Sequence, residues 1–456
     1  MAMGRRQKQR QGQIWLEAKT LAKGPSHPFY QRLNEVLERH GFDGFVEGLA
    51  ARFYAPRFGR PSLPPPVYFR LLLIGYFEGI DSERGIAWRV ADSLTLREFL
   101  GLALTESPPD HSTISRNRRL LELEAHQEAF TWVLGVLAKE GVLRGKTLGI
   151  DATTLEANAA LRSIVRRDTG ASYDEFLRGL ASASGIETPT REDLAKLDRK
   201  RAKKGSNQDW QNPHDPDAKI TKMKDGRTHL AHKAEHAVDM ETGAVVAVTL
   251  QPADRGDTES LEETLDEAMG ELSDVIEDEE AGEALSDQIL AEIVADKGYH
   301  SNAVLAARER VGIRTYISEP KRGRRNWQGK SAEKAAVYGN RRRIRGERGK
   351  QLLRRRGELI ERSFAHCYET GGMRRTHLRG HRNILKRLLV HVAGFNLGLV
   401  MRELFGIGKP RVLQGLRAVL LRLIRALIAT CNCLGRSGAR GSVIHSTGTS
   451  LSRICA

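Results

Sequence analysis

At 456 residues with 40% hydrophobic side chains, the chain is long enough for two or three domains and can bury a sizeable core, which excludes disorder throughout. Lys and Arg outnumber Asp and Glu by 73 to 57, a formal charge of +16, so the expected partner is a polyanion, with nucleic acid first. Cys367, Cys431, Cys433 and Cys455 have neither paired CxxC spacing nor the density of a disulfide scaffold. No apolar core follows the basic N-terminus, so the expectation is a reducing cytoplasm without secretion signal or membrane span.

In chain order, residues 1–60 read as an N-terminal extension and 61–140 as a helical, DNA-binding domain. PPPVYFRLLLIGYFEG opens a helix on Pro64 to Pro66, and Thr95 with Glu98 forms a capping box. In DHSTISRNRRLLELEAH, Ser112 reads as a cap. It is followed by Ser115, Arg116, Arg118 and Arg119 on the first turns, the composition a helix-turn-helix presents to phosphates and base edges. A solvated basic helix face has the same pattern, so composition alone leaves both readings open.

Near Lys146 the texture changes to short apolar runs. TLGIDATT reads as a buried strand ending at Asp151, and HKAEHAVDMETGAVVAVTL as two strands around Glu241, Thr242 and Gly243. Leu261, Leu265, Ala268, Leu272 and Val275 recur at helical spacing, with acidic residues on the opposite face. IVADKGYH gives another strand ending at Asp296, and RTYISEP one more. The predicted order is three strands, helix, strand, helix, strand, then helices, an α/β domain over 145–405. It carries a polar, partly helical or mobile insertion at 162–227 and a basic insertion at 321–350, and 406–456 reads as a helix with a disordered tail.

Charge is segregated: residues 257–292 hold 15 acidic residues and no Lys or Arg, whereas 321–356 hold 15 basic residues against Glu333 and Glu347. In the basic segment, Arg324, Arg325, Arg341, Arg342 and Arg343 suit DNA phosphates, with Trp327 and Tyr338 among them for base stacking. Lys297 suits a phosphate beside Asp296. The carboxyl ends of strands in an α/β sheet are where ligands gather, so Asp151 and Asp296 can converge on a magnesium site. GELIERSFAH offers Glu358 and Glu361 as a third carboxylate, and pattern alone does not choose between them. His232 and His236 share one strand face while His229 takes the other, which argues against a zinc cluster.

GIDATTLEANA, VADKGYHSNA and ELIERSFAH, in that order, resemble the three acidic motifs of bacterial insertion-sequence DDE transposases. The chain is most similar to the IS-five superfamily and its IS-eleven-eighty-two group, with the similarity running over about residues 64–404. The resemblance implies an RNase H-like core and a catalytic, metal-binding triad of Asp151, Asp296 and Glu361, with Glu361 favoured by the Glu-Arg-x-aromatic pattern that continues through Arg362 and Phe364. It implies magnesium or manganese, two ions, and Arg355, Arg356 and Arg362 against phosphates. It also implies cleavage at transposon ends followed by strand transfer into target double-stranded DNA, by a homodimer in the bacterial nucleoid. The family's auxiliary Tyr, Arg and Lys around that Glu are not matched here: Gly357 stands four positions before Glu361 and Tyr368 seven after it.

Overall fold

The computed structural model describes residues 3, 27–55, 62–103, 105–201, 205–223, 226–321, 323 and 325–410. Most of the 1–60 extension before residue 27, Arg324, and the C-terminal stretch from 411 onward lie outside the described residues.

Seven helices form the first part: α1 (Pro28–Arg39), α2 (Phe42–Ala50), α3 (Pro65–Glu78), α4 (Glu83–Ala91), α5 (Leu94–Phe99), α6 (His111–Leu120) and α7 (Leu123–Lys139). The helical body therefore begins by residue 28 rather than 61. Phe29, Leu33, Val36 and Leu37 recur at i, i+4, i+7 and i+8, and this fully buried stripe draws α1 into the core. The central helix α3 opens on prolines as predicted and is buried nearly all round. It even encloses Arg70, which donates to Asp43 Oδ1 at 2.6 Å and to Asn34 Oδ1 at 3.0 Å.

Two caps differ from the sequence reading. Helix α5 starts at Ser93, whose side chain accepts from Leu96 N, so the Thr95–Glu98 box does not form. Helix α6 is capped by Asp110, accepting from Ser112 N, so Ser112 is already inside the helix. In both places a cap-competent side chain lies two residues upstream of the predicted one and starts the helix earlier.

The sheet gathers β1 (Thr147–Glu156), β4 (Lys219–Lys222), β5 (Thr228–Asp239), β6 (Val245–Pro252), β7 (Glu292–Ala295) and β8 (Arg314–Ile317). Its main order is β6-β5-β1-β7-β8, with β6, β5 and β1 antiparallel to their neighbours and β1, β7 and β8 parallel; β4 extends β5. The predicted succession of strands and helices is observed. Gly243, at φ +83°, makes the turn between β5 and β6 that the sequence marked.

The 162–227 insertion is built rather than loose. It comprises β2 (Val165–Arg166), α8 (Tyr173–Ala183), α9 (Arg191–Lys200), β3 (Trp210–Gln211) and β4. Capping boxes at Ser172–Glu175 and Thr190–Asp193 start both helices. Ala157, Ile164, Trp210, Ala218 and Leu230 form its small core, with Arg166 lying over the Phe176 and Trp210 rings. The polar composition hid this core because a few aromatic residues carry it.

One sheet face carries α10 (Asp257–Ile276), followed by α11 (Glu279–Ala284). Leu261, Leu265, Ala268, Leu272 and Val275 are buried as their spacing predicts. Glu271 departs from the solvated acidic face: it is 5% exposed, accepts from Thr131 Oγ1 at 2.6 Å, and burial pushes its carboxyl up to about 8, with Glu267 and Asp274 adding repulsion. A carboxyl raised in the folded state contributes stability that is fully present below its ordinary value of 4.5 and is lost as pH rises through about 8, with a slope of about 1.4 kcal/mol per pH unit in between. Melting temperatures of the wild type should fall more steeply from pH 5 to 8 than those of Glu271→Gln; parallel curves would show that Glu271 ionises normally.

Helices α12 (Asn302–Arg310), α13 (Ser331–Arg345), α14 (Glu347–Phe364) and α15 (His381–Phe405) complete the described chain. The basic 321–350 segment is thus largely helical and packed, with α13 lying against α12, β8 and α14. An asparagine caps one residue of β6 and another caps one residue of β8, the outer strands of the main order. Asn396 of α15 accepts from Val245 N at 2.9 Å and donates to Val245 O at 2.8 Å, and Asn340 of α13 does the same to Ile317 at 2.9 and 2.8 Å. Helix α15 is long and apolar enough to cross a membrane by length and composition, but 94% of its most apolar window is buried inside the protein against α3, α7 and β6.

Candidate active site

The strand β1 does not end at Asp151; it runs five residues further, still paired with β5 out to Glu156. What ends there is its other neighbour. β7 pairs with β1 only as far as Ile150 opposite Ala295, so Asp151 and Asp296 are the next residues on two adjacent parallel strands, about 4.8 Å apart in strand spacing. Asp296 then leaves the sheet as the cap of a short 3₁₀ turn, its Oδ1 accepting from Gly298 N at 2.7 Å. Two carboxylates thus stand side by side where β7 peels away from β1.

Asp151 is half-buried. Its Oδ1 accepts from Ala152 N at 2.9 Å and its Oδ2 from Arg356 Nη1 at 2.7 Å. Burial pushes its carboxyl above the ordinary value; the Arg356 charge and the Ala152 N–H oppose that, and the charge of Asp296 adds to the rise. Two hard oxygen donors with mutual repulsion are a set that a divalent cation satisfies.

Helix α14 lies on the Asp151 face, with Leu359, Ile360, Ser363 and Phe364 buried. Ser363 Oγ lies 2.9 Å from His236 Nδ1, and His236 is the register partner of Asp151 on β5. Glu361 therefore falls on the stretch of helix between Arg356, which reaches Asp151, and Ser363, one strand over. At 100° per residue, Glu358 points almost directly away from the buried stripe, and Glu361 is turned roughly 60° from it, still on the outward side. Glu358 is moreover held by Arg362 Nη2 at 2.7 Å. Glu361 is exposed, and among the described residues no three His, Cys, Asp or Glu side chains gather at metal-ligating distance. The two aspartates come together; the glutamate stands apart from them.

Two stretches match known family models: residues 18–120 match the Transposase domain (DUF772), and 197–397 match the Transposase DDE domain. Together they span about two thirds of the chain. The chain belongs to the insertion-sequence DDE transposases. The DDE match includes Asp296 and Glu361, and Asp151 lies between the two matches. The first match begins ahead of α1, in keeping with a helical body that starts well before residue 61. No curated protein and no solved structure matches the chain.

The basic side chains of this transposase fall into two groups. Arg118 is 9% exposed, donating to Glu83, Asn383 and Ser115 Oγ, so both Arg118 and Ser115 serve the joint between α6, α4 and α15 rather than an open surface. Arg325 and Arg341 converge on Glu319, whose carboxyl Arg341 holds below its ordinary value. Arg343 is tied to Thr315 and Glu309, Arg355 to Glu241 O, Arg356 to Asp151 and Arg362 to Glu358. Arg116, Arg119, Lys297 and Arg342 are exposed, as is Arg345, which the sequence reading did not single out. The three consecutive arginines cannot act alike, because successive helical residues point 100° apart and α13 has one face on β8. Trp327 and Tyr338 do pair, with ring centroids 6.3 Å apart, Arg325 over the first ring and Arg341 over the second.

Sequence reasoning missed the polar groups on both sides of the aspartates. On the far sheet face, buried Glu235 accepts from Tyr299 at 2.6 Å, from Ser260 at 3.0 Å and from Thr264, fixing the turn after Asp296 to α10. Lys233 donates to Asp257 Oδ1 at 2.6 Å. A Cβ on Gly298 would stand 2.3 Å from Asp257 Oδ2, so any larger residue here would have to displace that carboxylate. On the near face, His236 lies 2.6 Å from Tyr368 Oη, and burial drives the imidazole down to about 3, leaving it neutral. The legible signal was polarity in strand β5: Lys233, Glu235 and His236 sit in a run that the sheet buries completely.

Proposed function

We propose that this transposase cleaves DNA at transposon ends and transfers the freed 3′-hydroxyl into target DNA, using Asp151, Asp296 and Glu361. The carrying observation is the pair of aspartates that directly follow the last in-register residues of two adjacent parallel strands, Ile150 and Ala295, in a chain of the DDE family. The strand order β6-β5-β1-β7-β8, antiparallel then parallel, supports reading the core as RNase H-like. The motif sequences support the IS-five superfamily, IS-eleven-eighty-two group.

Asp151 and Asp296 would hold magnesium or manganese, with Glu361 completing the ligand set; Glu361 is favoured over Glu358 by the Glu-Arg-x-aromatic motif and by the pairing of Glu358 with Arg362. Two bound ions supply activation of the attacking hydroxyl and stabilisation of the leaving oxygen. The protein's own work is positional. Arg116, Arg119, Lys297 and Arg342 hold phosphates, and Trp327 with Tyr338 offers aromatic faces to bases at an opened end. A homodimer on paired ends is part of this reading.

The decisive assay offers a pre-cut end and a supercoiled plasmid with Mg²⁺. Joined product is expected; cutting without joining would reduce the chain to a nuclease. DNA affinity measured against salt gives an independent check. Arg342→Gln with Arg345→Gln should lower the slope of log K against log salt by about 0.9 per lost phosphate contact. An unchanged slope would remove α13 from the DNA interface.

A further inference from the structure

We propose that Arg356 is a latch that occupies Asp151 in the cation-free protein and must leave for a divalent cation to bind. The inference rests on Asp151 being a cation ligand and adds a competitor for it. Both oxygens of Asp151 are already engaged, Oδ1 by the following backbone N–H and Oδ2 by the guanidinium at 2.7 Å. A guanidinium and a cation cannot share that oxygen at bonding distance without facing each other's charge. Entry of the cation therefore requires Arg356 to release it.

The latch has a built approach. Arg356 crosses β1 over Gly149, where a Cβ would stand 3.3 Å from Arg356 Cγ and 2.5 Å from Met240 Sδ. Glycine at 149 leaves the channel along which the stem of Arg356 reaches Asp151. The grip is also sparing. Beyond Asp151, Nη1 finds only Ile150 O at 3.4 Å, and the buried Nε has no hydrogen-bond partner in the described structure. One charge-assisted bond holds the side chain, so breaking it frees Arg356 without dismantling a network. Helix α14 thus carries both the group that neutralises Asp151 and, five residues on, Glu361, whose side chain makes no hydrogen bond or ion pair among the described residues.

The test is Mn²⁺ binding to the full chain without DNA, read by calorimetry and by water-proton relaxation. Arg356→Met keeps the stem over Gly149 and removes the charge; it should bind Mn²⁺ about tenfold more tightly than the wild type, with Arg356→Lys in between. Asp151→Asn should lose the site in either background. If Asp151→Asn abolishes binding while Arg356→Met binds no more tightly than wild type, the latch is wrong and the ligand assignment stands. If Asp151→Asn binds as the wild type does, the ligand assignment itself fails. In the wild-type protein the Arg356 Nε–H resonance, assigned by its loss in Arg356→Lys, should shift on Mg²⁺ titration and stay fixed in Asp151→Asn. A resonance unmoved by saturating Mg²⁺ overturns the latch even if the methionine variant does not fold.

Discussion

Asp151→Asn and Asp296→Asn should each lower Mg²⁺-dependent cleavage of an end substrate by roughly 10³-fold or more, because a lost ligand removes several kcal/mol of charge stabilisation at about 1.4 kcal/mol per decade. Affinity for the same DNA, measured by fluorescence anisotropy, should stay close to wild type, since neither side chain belongs to the exposed basic surface. Glu361→Gln should show the same pattern and Glu358→Gln should stay active. The physical ground is that the Glu358 carboxylate is already paired to Arg362, whereas the Glu361 side chain has no ion-pair partner among the described residues. A dead Glu358→Gln beside an active Glu361→Gln would transfer the third role. Melting curves of each variant separate loss of chemistry from loss of fold.

The second large effect concerns stability. Arg70 is wholly buried in α3 and is matched to Asp43, itself largely covered, and to Asn34. Arg70→Ala leaves a carboxylate facing a cavity, and severing a buried ion pair from one side costs about 3–5 kcal/mol. Urea denaturation should show that loss, and Asp43→Asn combined with Arg70→Met should recover part of it, since an apolar side chain of similar length then fills the space beside a neutral amide. Recovery matters to function as well, because α3 is the central helix against which α2, α4 and α15 pack, with Phe29 and Tyr30 of α1 meeting Phe77 and Glu78 of α3.

The sequence was most readable where one physical rule acted alone. Short apolar runs marked β5 and β6, helical spacing marked the buried face of α10, and the apolar runs that stop at Asp151 and Asp296 pointed to one locus. It was least readable where tertiary contacts decide. Asp151 looked terminal because the apolar run stops there, yet β5 carries β1 onward to Glu156. The arginines of α6 and α13 looked equivalent because composition ignores direction; Arg118 is drawn inward by Glu83 and Asn383, residues from distant parts of the chain. The insertion read as partly helical or mobile, and the packing that decides between the two rests on a handful of residues centred on Trp210. Arg356 was assigned to phosphates on charge, and the structure sets it on a carboxylate.

The two asparagines at the sheet margins bear on how copies of this transposase can meet. An open β-edge is a template for strand addition. Asn396 on β6 and Asn340 on β8 each present an amide in the place of a neighbouring backbone, donor to carbonyl and acceptor to N–H. At Val245 and Ile317 the margin is chemically complete, with a helix behind it. Strand addition at those two positions would have to displace an asparagine amide already seated there.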